Sequence, residues 1–311
     1  MKIVFAGTPA AAVPSLHALA RSHHSVCAVI TREDSPQGRK RTLTPSPVAL
    51  KATELDLPVI KANRLGAEVT AQVASLDVDL GVIVAYGGLV REPLLSTPAG
   101  GWVNLHFSAL PLWRGAAPVQ RALINGDTTI DTTVFQLTPG LDEGDIWNAT
   151  TTSITDDETA GELLARMAVS GAADLLAAVD GIESRTLQPR PQVGASRYAE
   201  KLTLADGRLD LRESAESVFN RFRGVTPEPG AHISVGGERF KVLAATRSDD
   251  AASPLSPGEF ALDGRQVVLG TGTTPIVLTR VQPAGRAAMN AADWWRGLRH
   301  QKLSADVEEN E

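Results

Sequence analysis

The 311-residue chain carries 30 Lys and Arg against 36 Asp and Glu, a formal net charge of −6, with 43% hydrophobic and 21% charged residues. That balance belongs to a folded globular protein and excludes nucleic-acid binding driven by overall positive charge. No apolar run approaches the roughly 18–20 residues of a membrane span; the single cysteine excludes an intrachain disulfide and a cysteine-based zinc site, and the length suits two domains.

The chain opens on an apolar strand, Lys2–Ala6, ended by Gly7-Thr8-Pro9. A leader peptide would need a longer apolar run behind a basic start, so strand and turn is the better reading. Ala and Leu at helical spacing predict a helix over Ala10–Arg21, and the β-branched run Val26–Thr31 a second strand. Cys27 lies in that run and reads as an inert core residue. His23-His24, on the turn before it, are expected to face solvent rather than to bind a metal.

Ser46 as cap and Pro47 at the first helical position predict a helix over Pro47–Leu57. A short strand at Val59–Ile60, a helix at Ala67–Ser75 and strands at Asp79–Ala85 and Trp102–His106 follow. Alternating strands and helices with fully apolar strands imply an α/β domain with a mostly parallel sheet covered on both faces. Ligands of such sheets bind at the carboxyl ends of the strands. Gly7-Thr8-Pro9, Ala85-Tyr86-Gly87-Gly88 and Asn104-Leu105-His106 all fall at such ends and are expected to share one crevice.

Pro, Gly and polar residues across Gln188–Ala195 mark a linker. The expected division is 1–189, a linker over 190–203, and a second domain over 204–311. Short β-like runs at Ala231–Val235, Phe240–Ala244, Gln266–Leu269 and Ile276–Val281, separated by Gly-rich turns, predict a small β-barrel or sandwich. A five-stranded oligonucleotide-binding-type barrel is one candidate. The acidic end, Asp306–Glu311, is expected to fray.

Asn104 and His106 stand two apart on a strand, so their side chains share a face. A polar pair ending an apolar strand is costly unless it is satisfied or opens on a cleft. Asn can donate to an oxyanion, and His moves protons near neutral pH. Asp142, in the turn-like Gly140–Asp145, is the carboxylate best placed to orient the His. The set holds an acid/base and an oxyanion donor but no nucleophile, which suits direct transfer between two bound substrates. Spacing alone does not separate this from a satisfied strand-end histidine and an Asp that merely forms a turn.

The intervening residues do. VNLHFSALPLWRGAAPVQRALINGD from Val103 and GLDEGDI from Gly140 resemble the formyltetrahydrofolate-dependent formyltransferases. So do FAGTP at 5–9, SPV at 46–48, LPV at 57–59, AYG at 85–87 and SRYAEKL at 196–202. The resemblance spans nearly the whole chain, and WRGAAP is its most specific motif. It implies a Rossmann-like catalytic domain followed by a C-terminal β-barrel that helps hold tRNA, with Asn104, His106 and Asp142 as catalytic residues. It further implies 10-formyltetrahydrofolate as co-substrate and the α-amine of initiator methionyl-tRNA as acceptor.

The family's folate-contacting Ser-Leu-Leu-Pro segment matches Ser108, Ala109, Leu110 and Pro111, with Ala109 a smaller side chain than the family's Leu. Ile83, Ala85, Tyr86 and Gly87 at a strand end could accept a pterin through backbone hydrogen bonds, the glycine allowing close approach. The run Gly7-Thr8-Pro9 lacks G-x-G-x-x-G, which weighs against a dinucleotide-dependent oxidoreductase.

In the loop 32–44, Arg39, Lys40 and Arg41 match the segment that in the family contacts the tRNA acceptor end. A basic loop beside a crevice is suited to gripping phosphates. Residues 206–305 hold 13 Lys and Arg against 11 Asp and Glu, so a basic face there must come from sorting. No metal is expected. A monomeric, cytoplasmic protein with no membrane association is the corresponding expectation. Transfer to a nucleotide-linked amino sugar or to a glycinamide ribonucleotide, or a binding module without catalysis, are the alternatives. The full-length second domain and the intact Asn-His-Asp set weigh against them.

Overall fold

The computed structural model describes residues 1–38, 40–248, 255–298 and 303–307. Two compact units emerge, the first comprising Met1–Pro118, Thr129–Ser153 and Leu164–Ala199, the second Val119–Thr128, Ile154–Leu163 and Glu200–Glu311.

In chain order the elements up to residue 106 are β1 (Lys2–Gly7), α1 (Val13–Ala20), β2 (Ser25–Thr31), β3 (Ser35–Gln37), β4 (Thr42–Thr44), α2 (Pro47–Glu54), β5 (Val59–Lys61), α3 (Ala67–Ser75), β6 (Leu80–Val84) and β7 (Trp102–His106). Then come β8 (Arg114–Gly115), α4 (Pro118–Asn125), β9 (Thr129–Gln136), β10 (Ile146–Ser153), α5 (Ala160–Glu183) and β11 (Tyr198–Ala199). Seven strands form the main sheet of the first unit in the order β10-β9-β7-β6-β1-β2-β5. The five from β7 to β5 run parallel, and β9 and β10 are antiparallel additions.

The apolar strands are buried as their composition requires: every residue of β6 is buried. Gly81 in β6 is demanded by Trp102 of β7, since a Cβ there would lie 2.2 Å from the indole. Trp102 is itself fully buried and donates its indole N–H to the Leu94 carbonyl at 2.9 Å. Ser46 caps α2 by accepting from the Ala49 N–H at 3.0 Å, with Pro47 in the first turn, as the sequence predicts. The helix expected from Ala10 begins instead as a 3-10 turn over Ala10–Ala12, the α-helix following from Val13 with Pro14 in its first turn, where no N–H is needed.

The second unit adds α6 (Ala215–Gly224), β12 (His232–Val235), β13 (Glu238–Arg247), β14 (Phe260–Asp263), β15 (Gln266–Leu269), β16 (Ile276–Gln282), β17 (Met289–Asn290) and α7 (Ala291–Arg296). Its antiparallel sheet, ordered β12-β13-β16-β15-β14 with β17 on β16, curls into a half-barrel. Phe240, Phe260 and Trp294 meet inside it with ring centroids 4.7–6.0 Å apart.

Residues 303–306 bridge the sheet's two edges. Phe260 N–H donates to the Leu303 carbonyl (3.2 Å), Ala305 N–H to Gly258 (2.8 Å), and Asp306 N–H to Ser234 of β12 (2.8 Å). The expected fraying of Asp306–Glu311 is therefore corrected at Asp306, while 308–311 lie outside the described residues. The Asp306 carboxylate accepts from Ser234 Oγ (2.6 Å) and from the Gly237 (2.7 Å) and Gly236 (3.1 Å) N–H groups. These bonds hold its pKa below the usual carboxylate value, the Ser234 hydroxyl contributing most.

Two other expectations change. His24 does not face solvent: its side chain is wholly buried, with Nε2 2.9 Å from Asp180 Oδ1 and Nδ1 3.1 Å from the Met1 amine. Glu183 completes the group, its carboxyl drawn down to about 2 by hydrogen bonds from the Met1 amine and His23. The stretch 190–203 is not a free tether, because 190–199 belongs to the first unit. Arg190 exchanges both backbone hydrogen bonds with Ile146 (2.8 and 2.9 Å), and β11 pairs in parallel with β8. Cys27, expected in the core, is only half-buried and packs against the core's edge.

Candidate active site at the carboxyl ends of β1, β6 and β7

β7, β6 and β1 are neighbours in the sheet, so the three segments singled out in the sequence do end side by side. Thr8, after β1, donates its hydroxyl to the Tyr86 carbonyl after β6 (3.0 Å), joining two of them. Arg32 clamps the same turn, donating to the carbonyls of Gly87 and Tyr86 and lying over the Tyr86 ring at 5.4 Å.

Ile83 is buried, while Ala85 and Gly87 are exposed and both left-handed, at φ 47° and 83°. Tyr86 points the other way: its ring is buried and its hydroxyl donates to the Ala62 carbonyl at 2.5 Å. Burial pushes that phenol's pKa up. This turn thus offers backbone and an apolar wall, and the phenol is a core group.

On β7, Asn104 is half-buried, and its side-chain amide has no partner among the described residues. His106, on the same face, is buried, with Nε2 3.0 Å from the Trp113 carbonyl oxygen. A carbonyl only accepts, so Nε2 carries the hydrogen and neutral His106 presents a lone pair at Nδ1. Asp142 Oδ2 stands 4.0 Å from that Nδ1 and accepts from the Gly115 N–H at 2.8 Å. His106 and Asp142 therefore lie close together although Asp142 comes from the turn before β10, and Asn104 stands two residues before His106 on the same strand.

Three backbone conformations make this possible. Asp142 and Trp113 are left-handed, at φ 51° and 61°, the first common enough for Asp, the second rare for an aromatic residue. Gly115, at φ 117°, brings its N–H to Asp142, and a Cβ there would lie 2.9 Å from the Ala199 carbonyl.

Ser108, Ala109, Leu110 and Pro111 form the loop leaving β7. The Ser108 hydroxyl is buried and donates to the Leu112 carbonyl (2.7 Å), and its carbonyl accepts from Thr133 Oγ1 (2.6 Å). Leu110 and Pro111 are buried, Ala109 half-exposed. Ser108 thus shapes the loop whose next carbonyl, that of Trp113, orients His106.

The basic loop is a hairpin, β3 on β4, with a turn closed by Arg41 N–H donating to Gly38 (3.1 Å). Lys40 and Arg41 are exposed, and Arg39 lies outside the described residues. In the second unit some of the cations are paired with carboxylates. Arg212 meets Asp210 at 2.6 Å, drawing that carboxyl down to about 2, and Arg121 meets Asp206 at 3.2 Å.

Sequence reading missed Trp113, Gly115 and Gln192 as parts of the site. The first two act through backbone groups, which no side-chain pattern reveals. Among the described residues, His23, His24 and Glu183 are the group whose ligand-type atoms lie close together, away from this site, and hydrogen bonds account for their arrangement. No helix among them is long and apolar enough to cross a membrane.

An α/β unit that sets His106 beside Asp142 at the carboxyl end of β7, with no nucleophile among Asn104, His106 and Asp142, is suited to group transfer between two substrates. The formyl transferase family matches residues 1–179, and the formyl transferase C-terminal domain matches 201–299. The chain belongs to the formyl transferase family. It is 55% identical over 299 residues to a methionyl-tRNA formyltransferase of Clavibacter sepedonicus, covering 96% of this chain and 97% of that one. It is 57% identical over 297 residues to that of Leifsonia xyli subsp. xyli, with the same coverage. Among solved structures, a sugar 3N-formyl transferase determined with dTDP and 5-N-formyl-THF has a TM-score of 0.68 at 15% identity, over 92% of this chain and 99% of that one. At that identity the likeness is one of fold.

Proposed function

We propose that the protein transfers the formyl group of 10-formyltetrahydrofolate to the α-amine of initiator methionyl-tRNA, producing formylmethionyl-tRNA for translation initiation. End-to-end similarity to methionyl-tRNA formyltransferases supports this acceptor over a sugar nucleotide or a glycinamide ribonucleotide. The observation that carries the chemistry is the placement of His106, with Nε2 held by the Trp113 carbonyl, Nδ1 4.0 Å from the Asp142 carboxylate and Asn104 on the same strand face.

The amine attacks the formyl carbon on N10. Asn104 donates to the oxygen as negative charge develops there, a contact commonly worth about 3 kcal/mol of barrier. The proton leaving the amine is taken at His106 Nδ1, and the imidazolium so formed faces the Asp142 carboxylate. The same proton then goes to N10 as the C–N10 bond breaks, releasing tetrahydrofolate. Holding both substrates in one crevice supplies a further share of the rate.

The pterin is taken by the backbone of Ile83, Ala85, Tyr86 and Gly87 and by the loop Ser108, Ala109, Leu110 and Pro111. The left-handed, exposed Ala85 and Gly87 support this assignment, because they let a ligand approach the main chain closely. Lys40 and Arg41 on the β3–β4 hairpin, with Arg39, contact tRNA phosphates, and the half-barrel supplies the second tRNA surface. A monomer acting in the cytoplasm belongs to the same reading.

Labelled 10-formyltetrahydrofolate offered with methionyl-tRNA or with free methionine tests it. Label on methionyl-tRNA alone is expected, and label on neither overturns the reading.

A further inference from the structure

The catalytic reading leaves unused a half-buried polar cluster beside the Asp142 turn. Gln192, in the segment composition marked as linker, donates its side-chain amide to two carbonyls of the Asp142 loop, those of Asp142 (2.8 Å) and Gly144 (2.9 Å). Its side-chain oxygen accepts from Arg114 Nε (3.2 Å) and Nη2 (2.7 Å). Arg114 also donates to Glu143 at 3.3 Å, so the turn 142–144 is tied at three successive residues.

The same segment reaches the other half of the trio. Arg197 N–H donates to the Pro111 carbonyl (3.2 Å), Arg114 N–H donates to the Arg197 carbonyl (2.9 Å), and the Arg197 guanidinium lies 4.9 Å from the centre of the Trp113 ring. Trp113 is the residue whose carbonyl orients His106.

We infer that Gln192 is a positioning residue for Asp142, holding the carboxylate at its working distance from His106 as part of a strap, residues 190–199, that spans both halves of the site. Two carbonyls converge on one –NH2 and two guanidinium N–H groups on one oxygen, so every polar atom of the amide is used. Asp142 sits in a left-handed conformation and, beyond the Gly115 N–H, its position depends on what grips its own backbone. A shift of about 1 Å in such a group commonly costs up to about 100-fold in rate.

The inference rests on the catalytic role proposed for Asp142. It is tested in the full-length protein with Gln192→Ala, Gln192→Glu, Asp142→Asn and the double variant Asp142→Asn with Gln192→Ala. Gln192→Ala should lower kcat about 10- to 100-fold, with KM for methionyl-tRNA and folate changed less than about twofold and folate binding at equilibrium retained.

Gln192→Glu is nearly isosteric and keeps the acceptor for Arg114, but sets an oxygen against two carbonyl oxygens. It should be at least as impaired as Gln192→Ala; a residue that merely fills space would tolerate it. In the Asp142→Asn background, Gln192→Ala should cost less than about threefold more, because both act through one group.

Gln192→Glu turning over within about twofold of the unaltered protein, or full additivity with Asp142→Asn, overturns the positioning role alone. Loss of the catalytic reading itself is seen differently: the unaltered protein forms no formylmethionyl-tRNA, or Asp142→Asn is as active as it, and the positioning role falls with it.

Discussion

Two loops in this protein are each gripped by one side chain that reaches into their backbone, and the two grips have opposite polarity. In the first unit Gln192 donates to the carbonyls of Asp142 and Gly144. In the second, Asp306 accepts from the N–H groups of Gly236 and Gly237, the left-handed pair turning β12 into β13. An amide does not titrate, whereas a carboxylate does. The backbone of the turn carrying the proposed catalytic carboxylate is thus held by a group indifferent to pH, with an Arg114–Glu143 pair beside it, and the half-barrel is closed by a carboxylate. The contrast teaches that an amide grip on a backbone keeps its strength into acid, whereas a carboxylate grip is lost once the carboxylate is protonated.

The largest effect that sharpens this contrast lies at the first loop's target. His106→Ala should lower kcat by about 10²- to 10⁴-fold while folate still binds at equilibrium; unchanged turnover would leave the Gln192 grip with nothing catalytic to serve. Asn104→Ala should follow, at about 10²- to 10³-fold in kcat, measured under saturating methionyl-tRNA and folate.

Asp306→Ala tests the other anchor. Because its folded pKa is depressed, its stabilisation is present above the unfolded value of about 3.9 and is lost as pH falls through the folded value. The variant should therefore melt below the unaltered protein at pH 7, and the gap should close below about pH 4. A gap that persists in acid would remove the carboxylate from the comparison. Gln192→Ala should show no such acid closure in its melting difference.

The smallest effects belong to the hairpin. Lys40→Ala and Arg41→Ala should each weaken methionyl-tRNA binding several-fold and reduce the slope of log affinity against log salt by about 0.7–0.9 for every phosphate no longer neutralised, with free-folate binding unmoved. Equal slopes would take those cations away from the tRNA backbone.

Where periodicity and local chemistry decide an element, the sequence is directly legible. Trp102–His106 and Ala67–Ser75 fall where predicted, and Ser46-Pro47 opens α2. The 24-residue α5 is announced by Thr159 and Glu162, a reciprocal cap in which Thr159 N–H donates to the Glu162 carboxylate at 2.9 Å, a signal that the periodicity reading passes over. The hairpin β3–β4 carries Ser-Pro-Gln against Thr-Leu-Thr, exposed and without an apolar alternation, so nothing local marks it as paired.

In the candidate site, side chains are legible and backbone is not. Asn104, His106 and Asp142 can be named from sequence, while the Trp113 carbonyl and Gly115 N–H that orient them cannot. His24 defeats a local reading because its partners, Asp180 and Glu183, lie more than 150 residues away. Gln192 is hidden because Pro and Gly around it have the composition of a tether whatever their pairing.

The strap also decides where this protein can be cut and rejoined. A chimera that took residues 1–189 from one family member and the rest from another would import a foreign Gln192, Arg197 and Ala199 to meet a resident Asp142, Trp113 and Gly115. With the splice after Ala199, the Asp142 turn and the Trp113–Gly115 segment keep the strap they pair with, and the half-barrel strands are exchanged with the rest of the chain from Glu200.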